Sequence, residues 1–240
     1  GAIIDSAFKM MAESKEIDIV LIAGDVTYNG ELEGHMELIE KLKKLKDAGK
    51  RIFLITATHD FGKDLKIKYK DSDKVSTMTP REILKDMYYP YGMNEALSID
   101  EESNSYCVKL ADGYRLLCLN DDRNGKGRNG YSDSTFKWIS EQIDEAKAAG
   151  DYIFAMSHHP VLPPTPIYAL IGKHDMLTDG DKISDIWADK GLELIFTGHS
   201  HMQNIAVKAS KRGNRFYEVN TGSLVGYPCP IRSVTIDDEA

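Results

Sequence analysis

The sequence has few cysteines and no pattern that would use them. Its three cysteines, Cys107, Cys118 and Cys229, form no C-x-x-C pair. We therefore expect neither a disulfide framework nor a structural zinc site built on thiolates. The sequence also lacks any apolar run approaching the roughly 18 residues that a membrane span needs, so it predicts no membrane-spanning segment.

The chain carries no excess of positive charge. Thirty Lys and Arg residues face 38 Asp and Glu residues, which gives a net charge of -8. General nucleic-acid binding needs a basic face, so this balance argues against it. The content of 42% apolar and 28% charged residues is typical of a soluble globular protein. We predict one domain over residues 1–240. The sequence does not indicate whether the protein is a monomer or an oligomer.

Strand-type apolar runs alternate with amphipathic, helix-type segments. A helix pattern over residues 3–11 precedes two buried-strand runs, 17–23 and 52–57, which flank a second helix pattern over 36–45. This β-α-β order predicts an α/β fold with a parallel sheet. Because a strand should precede the first helix, we expect one upstream of Gly1. A signal peptide there would mean export, so no compartment is predicted.

The remaining sequence predicts further elements of both kinds. They are a surface insertion over 61–98, a hairpin of 105–110 and 114–120, helices near 133–149 and 180–190, and strands over 152–157, 192–197, 205–208, 216–220 and 231–236.

Metal-binding residue types directly follow four of the strand runs. The four segments are Gly24-Asp25, Thr58-His59-Asp60, His158-His159 and Gly198-His199-Ser200-His201. Ligands of open α/β sheets bind beyond the carboxyl ends of the strands, so these side chains should converge on one rim. Imidazole and carboxylate groups suit zinc, iron and manganese. We therefore predict a metal centre that contains Asp25, His158, His199 and His201.

The residue set also indicates a reaction. A carboxylate such as Asp25 can bridge two metal ions, and a pair of ions activates water for in-line attack at phosphorus. His59 is the candidate acid that protonates the leaving oxygen. We expect no chemical role for the other histidines. His159 packs or supports its loop, His35 is a solvated helix residue, and His174 is a surface residue of an irregular loop.

These motifs resemble the calcineurin-like metallophosphoesterase family. That family is recognised by D-x-H, G-D, G-N-H-D/E, a later His and G-H-x-H, each after a strand. The last four correspond in order to Gly24-Asp25, Ala57-Thr58-His59-Asp60, His158 and Gly198-His199-Ser200-His201. The resemblance spans residues 3–236. It implies two packed mixed β-sheets flanked by helices, an α-β-β-α sandwich.

The resemblance also implies roles for individual residues. Asp25 would bridge two metal ions, with His158 and His199 on one ion and His201 on the other. His59 would stabilise the transition state or protonate the leaving group. The implied activity is hydrolysis of a phosphoester by a dinuclear centre of manganese, iron or zinc.

The chain departs from the family pattern at two places. It lacks the D-x-H motif, which we expect on the strand upstream of Gly1. Thr58 stands where the family has Asn, and Ala57 where it has Gly. A hydroxyl is a weaker neutral ligand than an amide carbonyl and is shorter by one atom. Thr58 is thus a doubtful ligand, and we expect weak or partial occupancy and low activity.

Three alternatives remain open. The G-D-x-x-Y pattern that ends at Tyr28 matches purple acid phosphatases, in which the Tyr ligates ferric iron; packing of Tyr28 near the rim is the other interpretation. A catalytically impaired family member that acts as a binding or scaffold module is consistent with Thr58. A flavodoxin-like or nucleotide-binding domain is disfavoured, because no Gly-rich phosphate loop follows a strand.

Three loops at the expected rim are candidates for selecting the phosphoester: 61–98, 121–131 and 161–180. The basic residues of the second loop are Arg123, Lys126 and Arg128. They could contact a phosphate, and a solvated basic loop is the other interpretation.

Overall fold

The computed structural model describes residues 1–62, 66–68, 73, 75–123 and 128–237. The α-helices are α1 (Ala2–Glu13), α2 (Leu32–Asp47), α3 (Arg81–Tyr88), α4 (Asp133–Ala149), α5 (Tyr168–Ile171) and α6 (Gly180–Lys190), with short 3-10 helices at Met93–Glu95 and Lys173–Asp175. The strands are β1 (Ile19–Ala23), β2 (Arg51–Ile55), β3 (Lys66–Lys68), β4 (Val75–Thr77), β5 (Ala96–Asp100), β6 (Ser105–Ala111), β7 (Tyr114–Cys118), β8 (Asp122–Arg123), β9 (Gly130–Tyr131), β10 (Tyr152–Met156), β11 (Leu194–Thr197), β12 (Asn204–Ala209) and β13 (Arg215–Asn220). Within the described ranges, no helix has the length and apolar content needed to cross a bilayer.

Two β-sheets form the inner layers of the molecule. The larger has seven strands in the order β12-β13-β11-β10-β7-β6-β5. It is mixed, because β7, β10, β11 and β13 are parallel while β5, β6 and β12 pair antiparallel. The smaller sheet is the parallel pair β1–β2, with Ala23 opposite Ile55 at its carboxyl end.

Three hydrophobic clusters hold the layers together. Between the sheets, Phe53 and Ile55 of β2 pack with Leu116 of β7 and Phe154 of β10. A second cluster joins helices α1, α2 and α3 to the outer face of the small sheet. A third joins α4 and α6 to the outer face of the large sheet, around the buried Trp187. The predicted α/β class, with two packed sheets flanked by helices, is confirmed.

Helix α2 begins earlier than its apolar pattern predicted, and this changes the position of His35. The helix starts at Leu32, so His35 lies on the same face as Leu38 and is fully buried. Its Nδ1 atom lies 2.6 Å from the Tyr88 hydroxyl, and its Nε2 atom lies 2.8 Å from the Asp60 carbonyl oxygen. The interpretation of His35 as a solvated helix residue is therefore wrong.

The hairpin β6–β7 and the helices α4 and α6 match their predicted positions. Helix α4 shows why its ends were readable from sequence. The Ser132 side chain accepts a hydrogen bond from the Thr135 amide, and Gly150 ends the helix at φ +76°. A capping hydroxyl satisfies an exposed amide, and Gly adopts the left-handed conformation without a steric penalty.

The strand predicted over 231–236 is wrong. Residues 231–237 form no ladder with any described strand, and Ile231, Val234 and Ile236 are exposed. Alternating apolar residues form a strand where a sheet edge and a core face receive them, and here neither does. Arg232 instead bonds with the Thr221 hydroxyl and the Asn220 carbonyl oxygen.

That residues 61–98 form an insertion stays a prediction. Within this segment β3 and β4 pair as a short antiparallel ladder. Helix α3 buries Leu84 and Tyr88 in the cluster on the small sheet, and β5 is the edge strand beside β6. The end of the segment therefore belongs to the body of the fold.

Candidate metal centre

The two loops that carry His158 and His199 follow neighbouring parallel strands. In the large sheet Met156 of β10 lies opposite Phe196 of β11, and each histidine follows shortly after. The Gly198 amide donates a hydrogen bond to the His158 carbonyl oxygen at 3.0 Å. The two loops are therefore tied together at the rim, as the strand-end rule predicts.

His158 occupies the centre of the predicted set. Its Nε2 atom lies 3.0 Å from Oδ2 of Asp25 and 3.1 Å from Nδ1 of His199. Its Nδ1 atom donates to the Ala23 carbonyl oxygen at 2.6 Å. A carbonyl only accepts, so Nδ1 carries the proton and Nε2 is the nitrogen turned to Asp25 and His199. Metal-binding histidines typically show this arrangement.

His159 is held by a buried carboxylate. Its Nδ1 atom lies 2.8 Å from Oδ1 of Asp121, whose Oδ2 accepts from the amides of His158 and His159 and from the Ser157 hydroxyl. This agrees with the expected supporting role of His159. However, its ring centroid also lies 4.3 Å from that of His199, so the ring itself enters the cluster.

Three histidine nitrogens lie close enough to share one ion. One ring nitrogen from each of His158, His159 and His199 lies within 4.8 Å of the other two, and Asp25 adjoins them through His158. Two of the three rings have Nδ1 fixed by an oxygen acceptor. Imidazole nitrogens oriented in this way, with a carboxylate beside them, fit a transition metal such as zinc, iron or manganese.

The charges of the cluster affect one another strongly. Burial, together with the neighbouring His159 and His158, lowers the pKa of His199 to about 3. Its ring is therefore neutral at pH 7. Burial alone would lower the pKa of His158, but the hydrogen bond and charge of Asp25 outweigh it and raise this pKa to about 8. The same pairing with His158 outweighs burial at Asp25 and lowers its pKa.

Three of the four predicted ligands have unusual backbone conformations. Asp25, His199 and His201 lie at φ +51°, +59° and +55°. Left-handed conformations cost energy for residues with a Cβ atom and concentrate at functional sites. Gly24 also has a positive φ, +81°, and there is no space for a side chain at this position, because an added Cβ would lie 2.7 Å from Cβ of Ala57.

Asp60 connects the Asp25 loop with the His59 loop. Its fully buried carboxylate accepts from the Thr27 amide at 2.9 Å and from the Ala57 amide at 2.8 Å. In the same region the His59 amide donates to Oδ1 of Asp25 at 3.1 Å. Burial raises the pKa of Asp60 to about 6, against the opposing effect of these hydrogen bonds.

His59 is exposed at the rim, and Tyr28 fixes its orientation. Nδ1 of His59 donates to the Tyr28 carbonyl oxygen at 2.8 Å, and the two rings are stacked with their centroids 6.4 Å apart. Nε2 is thus the nitrogen that can accept and release a proton. Tyr28 is 79% exposed, and both interpretations of its side chain, packing near the rim and ligation of a metal, stay predictions.

Two side chains of strand β13 form hydrogen bonds with the loops that carry His158 and His199. The buried Glu218 carboxylate accepts from the Val161 and Leu162 amides and from the Thr197 hydroxyl. Asn220 donates to the Gly198 carbonyl oxygen at 2.7 Å. Burial raises the pKa of Glu218 to about 7, although its hydrogen bonds oppose the shift.

The predicted residues are not all in contact. Asp25, His158 and His199 meet, and His59 joins them through its amide. Thr58 and His201 are exposed, and among the described residues neither side chain makes a hydrogen bond.

His174 is exposed, as expected. Lys126 and the side chain of Arg123 lie outside the described part of the chain, and Arg128 is exposed.

Sequence reasoning missed three residues that shape the site, Asp121, Glu218 and Asn220, and it named Asp60 in a motif without giving it a role. Asp121 and Asn220 follow or end a strand, so the rule that identified the histidines applies to them as well. Glu218 lies within β13 and gives no such signal, because its role depends on burial.

Comparison with known proteins gives a family and a fold. A family model described as calcineurin-like phosphoesterase matches residues 2–203. No curated protein matches the chain in sequence. The crystal structure of a dimetal phosphatase from Danio rerio is similar with a TM-score of 0.61 and 12% identity, over 92% of this chain and 77% of that chain. A second solved structure has a TM-score of 0.54 and 13% identity, over 93% and 86% of the two chains.

Proposed function

Because the chain belongs to the calcineurin-like phosphoesterase family, we propose that it is a metal-dependent phosphoester hydrolase whose metal centre contains Asp25, His158 and His199. The observation that carries this proposal is the position of His158 Nε2, 3.0 Å from the Asp25 carboxylate and 3.1 Å from His199 Nδ1. The hydrogen bond from His158 Nδ1 to the Ala23 carbonyl oxygen holds the ring in the tautomer whose Nε2 can bind metal.

The centre we propose is dinuclear: Asp25 would be a ligand shared by both ions, and His201 would help to hold the second. Asp25 presents Oδ2 to His158 while Oδ1 accepts from the His59 amide, so its two oxygens face different neighbours. His201 follows His199 closely, and its side chain is exposed on the same loop. Manganese, iron and zinc suit these ligands. Bound ions would supply Lewis-acid activation of water and neutralise charge on the phosphoryl oxygens.

The protein residues contribute orientation and proton transfer. His59 holds its Nδ1 proton against the Tyr28 carbonyl oxygen, so Nε2 is directed away from that bond. In its protonated form Nε2 donates a proton to the leaving oxygen of the ester, which is general-acid catalysis. The bond from the His59 amide to Asp25 keeps this acid in a fixed relation to the metal centre.

Thr58 favours one alternative, a family member that binds its ligand without turnover. Its hydroxyl is exposed, and a hydroxyl is a weaker metal ligand than the amide that the family motif carries at this position. Under this alternative, the protein binds metal and phosphoester but releases no product.

Hydrolysis of aryl phosphate esters tests the proposal. The protein is incubated with Mn2+ and either p-nitrophenyl phosphate or bis-p-nitrophenyl phosphate, beside Asp25→Ala and the control Asp112→Ala, an exposed loop position. We expect turnover of at least one ester, reduced by at least about 100-fold in Asp25→Ala and unchanged in Asp112→Ala. Metal binding without turnover of either ester would favour the binding module.

A further inference from the structure

We propose that His159 is itself a metal ligand, so that His158, His159 and His199 form a three-histidine site for a zinc-type ion. This inference rests on the proposed metal centre and extends it to His159, which the predicted ligand set and the family pattern do not include. His159 is 1% exposed and lies directly beneath the rim.

The distances between the rings fit a shared ion. The nitrogens of His158 and His199 are 3.1 Å apart, and one nitrogen of His159 lies within 4.8 Å of each. Nitrogens that bind one zinc ion at about 2.0–2.1 Å in tetrahedral geometry are about 3.3 Å from one another. The separations within the cluster therefore exceed those of a tetrahedral zinc site by at most about 1.5 Å.

Asp121 orients the His159 ring in the way that a metal ligand requires. The main-chain amides of His158 and His159 both bond with Oδ2 of Asp121, at 3.0 and 2.7 Å. The bond between Oδ1 and His159 Nδ1, at 2.8 Å, is additional and fixes the ring. It leaves Nε2 as the binding nitrogen, in the carboxylate–histidine–metal arrangement typical of zinc sites.

The composition of this ligand set selects the type of ion. Three imidazoles prefer borderline transition metals such as zinc, cobalt or nickel, whereas magnesium and calcium prefer oxygen ligands. Thr58, at the position of the family's amide ligand, is exposed and has no hydrogen bond among the described residues. His159 would supply from the buried side the neutral ligand that Thr58 supplies poorly.

Zinc affinity measured against a chromophoric chelator tests this inference. The variants are His158→Gln, His159→Gln and the exposed control His174→Gln, with the folded state of each checked by circular dichroism. Gln at position 159 can still donate to Asp121. We expect both His158→Gln and His159→Gln to weaken zinc binding by at least about 100-fold, beyond the 10–100-fold typical of residues behind the ligands. His174→Gln should bind zinc as the wild type does.

The outcomes separate this inference from the proposed function. Zinc affinity within threefold of wild type in His159→Gln, with a large loss in His158→Gln, would overturn the three-histidine site and leave the metal centre intact. No loss of zinc affinity in either variant would overturn both the three-histidine site and the proposed metal centre. If His159→Gln does not fold, the crystal structure of the zinc-loaded wild type decides. A distance of about 2.0–2.1 Å from His159 Nε2 to zinc is expected, and one beyond 3 Å contradicts the inference.

Discussion

Oδ2 of Asp25 lies 3.0 Å from Nε2 of His158, and this contact joins the two sheets of the molecule. Asp25 follows β1 of the small sheet, and His158 follows β10 of the large one. Their separation is therefore fixed by the apolar cluster between the sheets, in which Phe53 packs with Phe154. The geometry of the centre depends on core packing as well as on the loops.

Loss of the Asp60 carboxylate should destabilise the protein and disturb the centre. Asp60→Ala leaves the half-buried Thr27 amide and the buried Ala57 amide without their acceptor, and each unsatisfied donor costs about 1–3 kcal/mol. We expect the free energy of unfolding in urea to fall by about 2–4 kcal/mol, and kcat to fall as well. Asp112→Ala is the control, since this residue is exposed. A change below about 0.5 kcal/mol would contradict this role of Asp60.

Removal of the His59 side chain should affect substrates according to their leaving group. An alkyl phosphate needs a proton on its leaving oxygen, so we expect His59→Gln to lower its kcat by at least about 100-fold. A nitrophenolate leaves without protonation, and its kcat should fall by less than about tenfold. Metal affinity should remain unchanged, because the His59 side chain bonds with the Tyr28 carbonyl and not with Asp25. Equal losses for both substrates would show that His59 is not the acid.

Glu218 should contribute a pH dependence to stability. Its pKa is raised from 4.5 to about 7, so the folded protein holds this proton more tightly than the unfolded chain does. The contribution of Glu218 to stability is therefore present in full below about pH 4.5 and is lost as the pH rises through about 7. Urea unfolding between pH 4.5 and 8 measures this slope.

The variant Glu218→Gln isolates that contribution, because other titrating groups remain in both proteins. Its stability is expected to be lower overall, since the amide group faces main-chain donors, and the difference from wild type should shrink as the pH rises. A difference that is constant over this pH range would show that Glu218 has the same pKa in the folded and unfolded chains.

Asn220 should set metal affinity through the His199 loop. Asn220→Ala removes the bonds to the Gly198 carbonyl oxygen and to the Ser200 hydroxyl, which flank His199. Such supporting contacts change metal affinity by about 10–100-fold, and we expect a loss in this range by calorimetry. Asn214→Ala, in the exposed turn between β12 and β13, is the control. Equal affinity in the two variants would exclude Asn220 from this role.

The sequence predicted the fold where a periodic pattern decides the structure. The buried runs of β1, β2, β10 and β11 are apolar on both faces, and their positions were readable within a few residues. The pattern failed where the result depends on a neighbour in space. The alternating residues 231–236 pair with no described strand, and His35 is buried because α2 starts before its apolar stripe.

At the site too, residues that follow a strand could be predicted from sequence, whereas roles that depend on contacts in space could not. Asp25, His158 and His199 were predicted because each follows a strand, and the strands bring them together. The function of Asp121 depends on its contact with His159, which lies far along the chain, and that of Glu218 depends on burial under two loops. A local pattern can mark Asp121 as a residue that follows a strand, but it does not encode these contacts.

The most direct test of the proposed function is the dependence of hydrolysis on metal. Wild-type protein is stripped with a chelator, and the hydrolysis rate of p-nitrophenyl phosphate and of bis-p-nitrophenyl phosphate is measured as Mn2+ or Zn2+ is added back. We predict no turnover without metal, a rate that rises to saturation as metal is added, and loss of that rate when chelator is restored. A rate that is independent of metal, or no hydrolysis of either ester at saturating metal, would contradict the account.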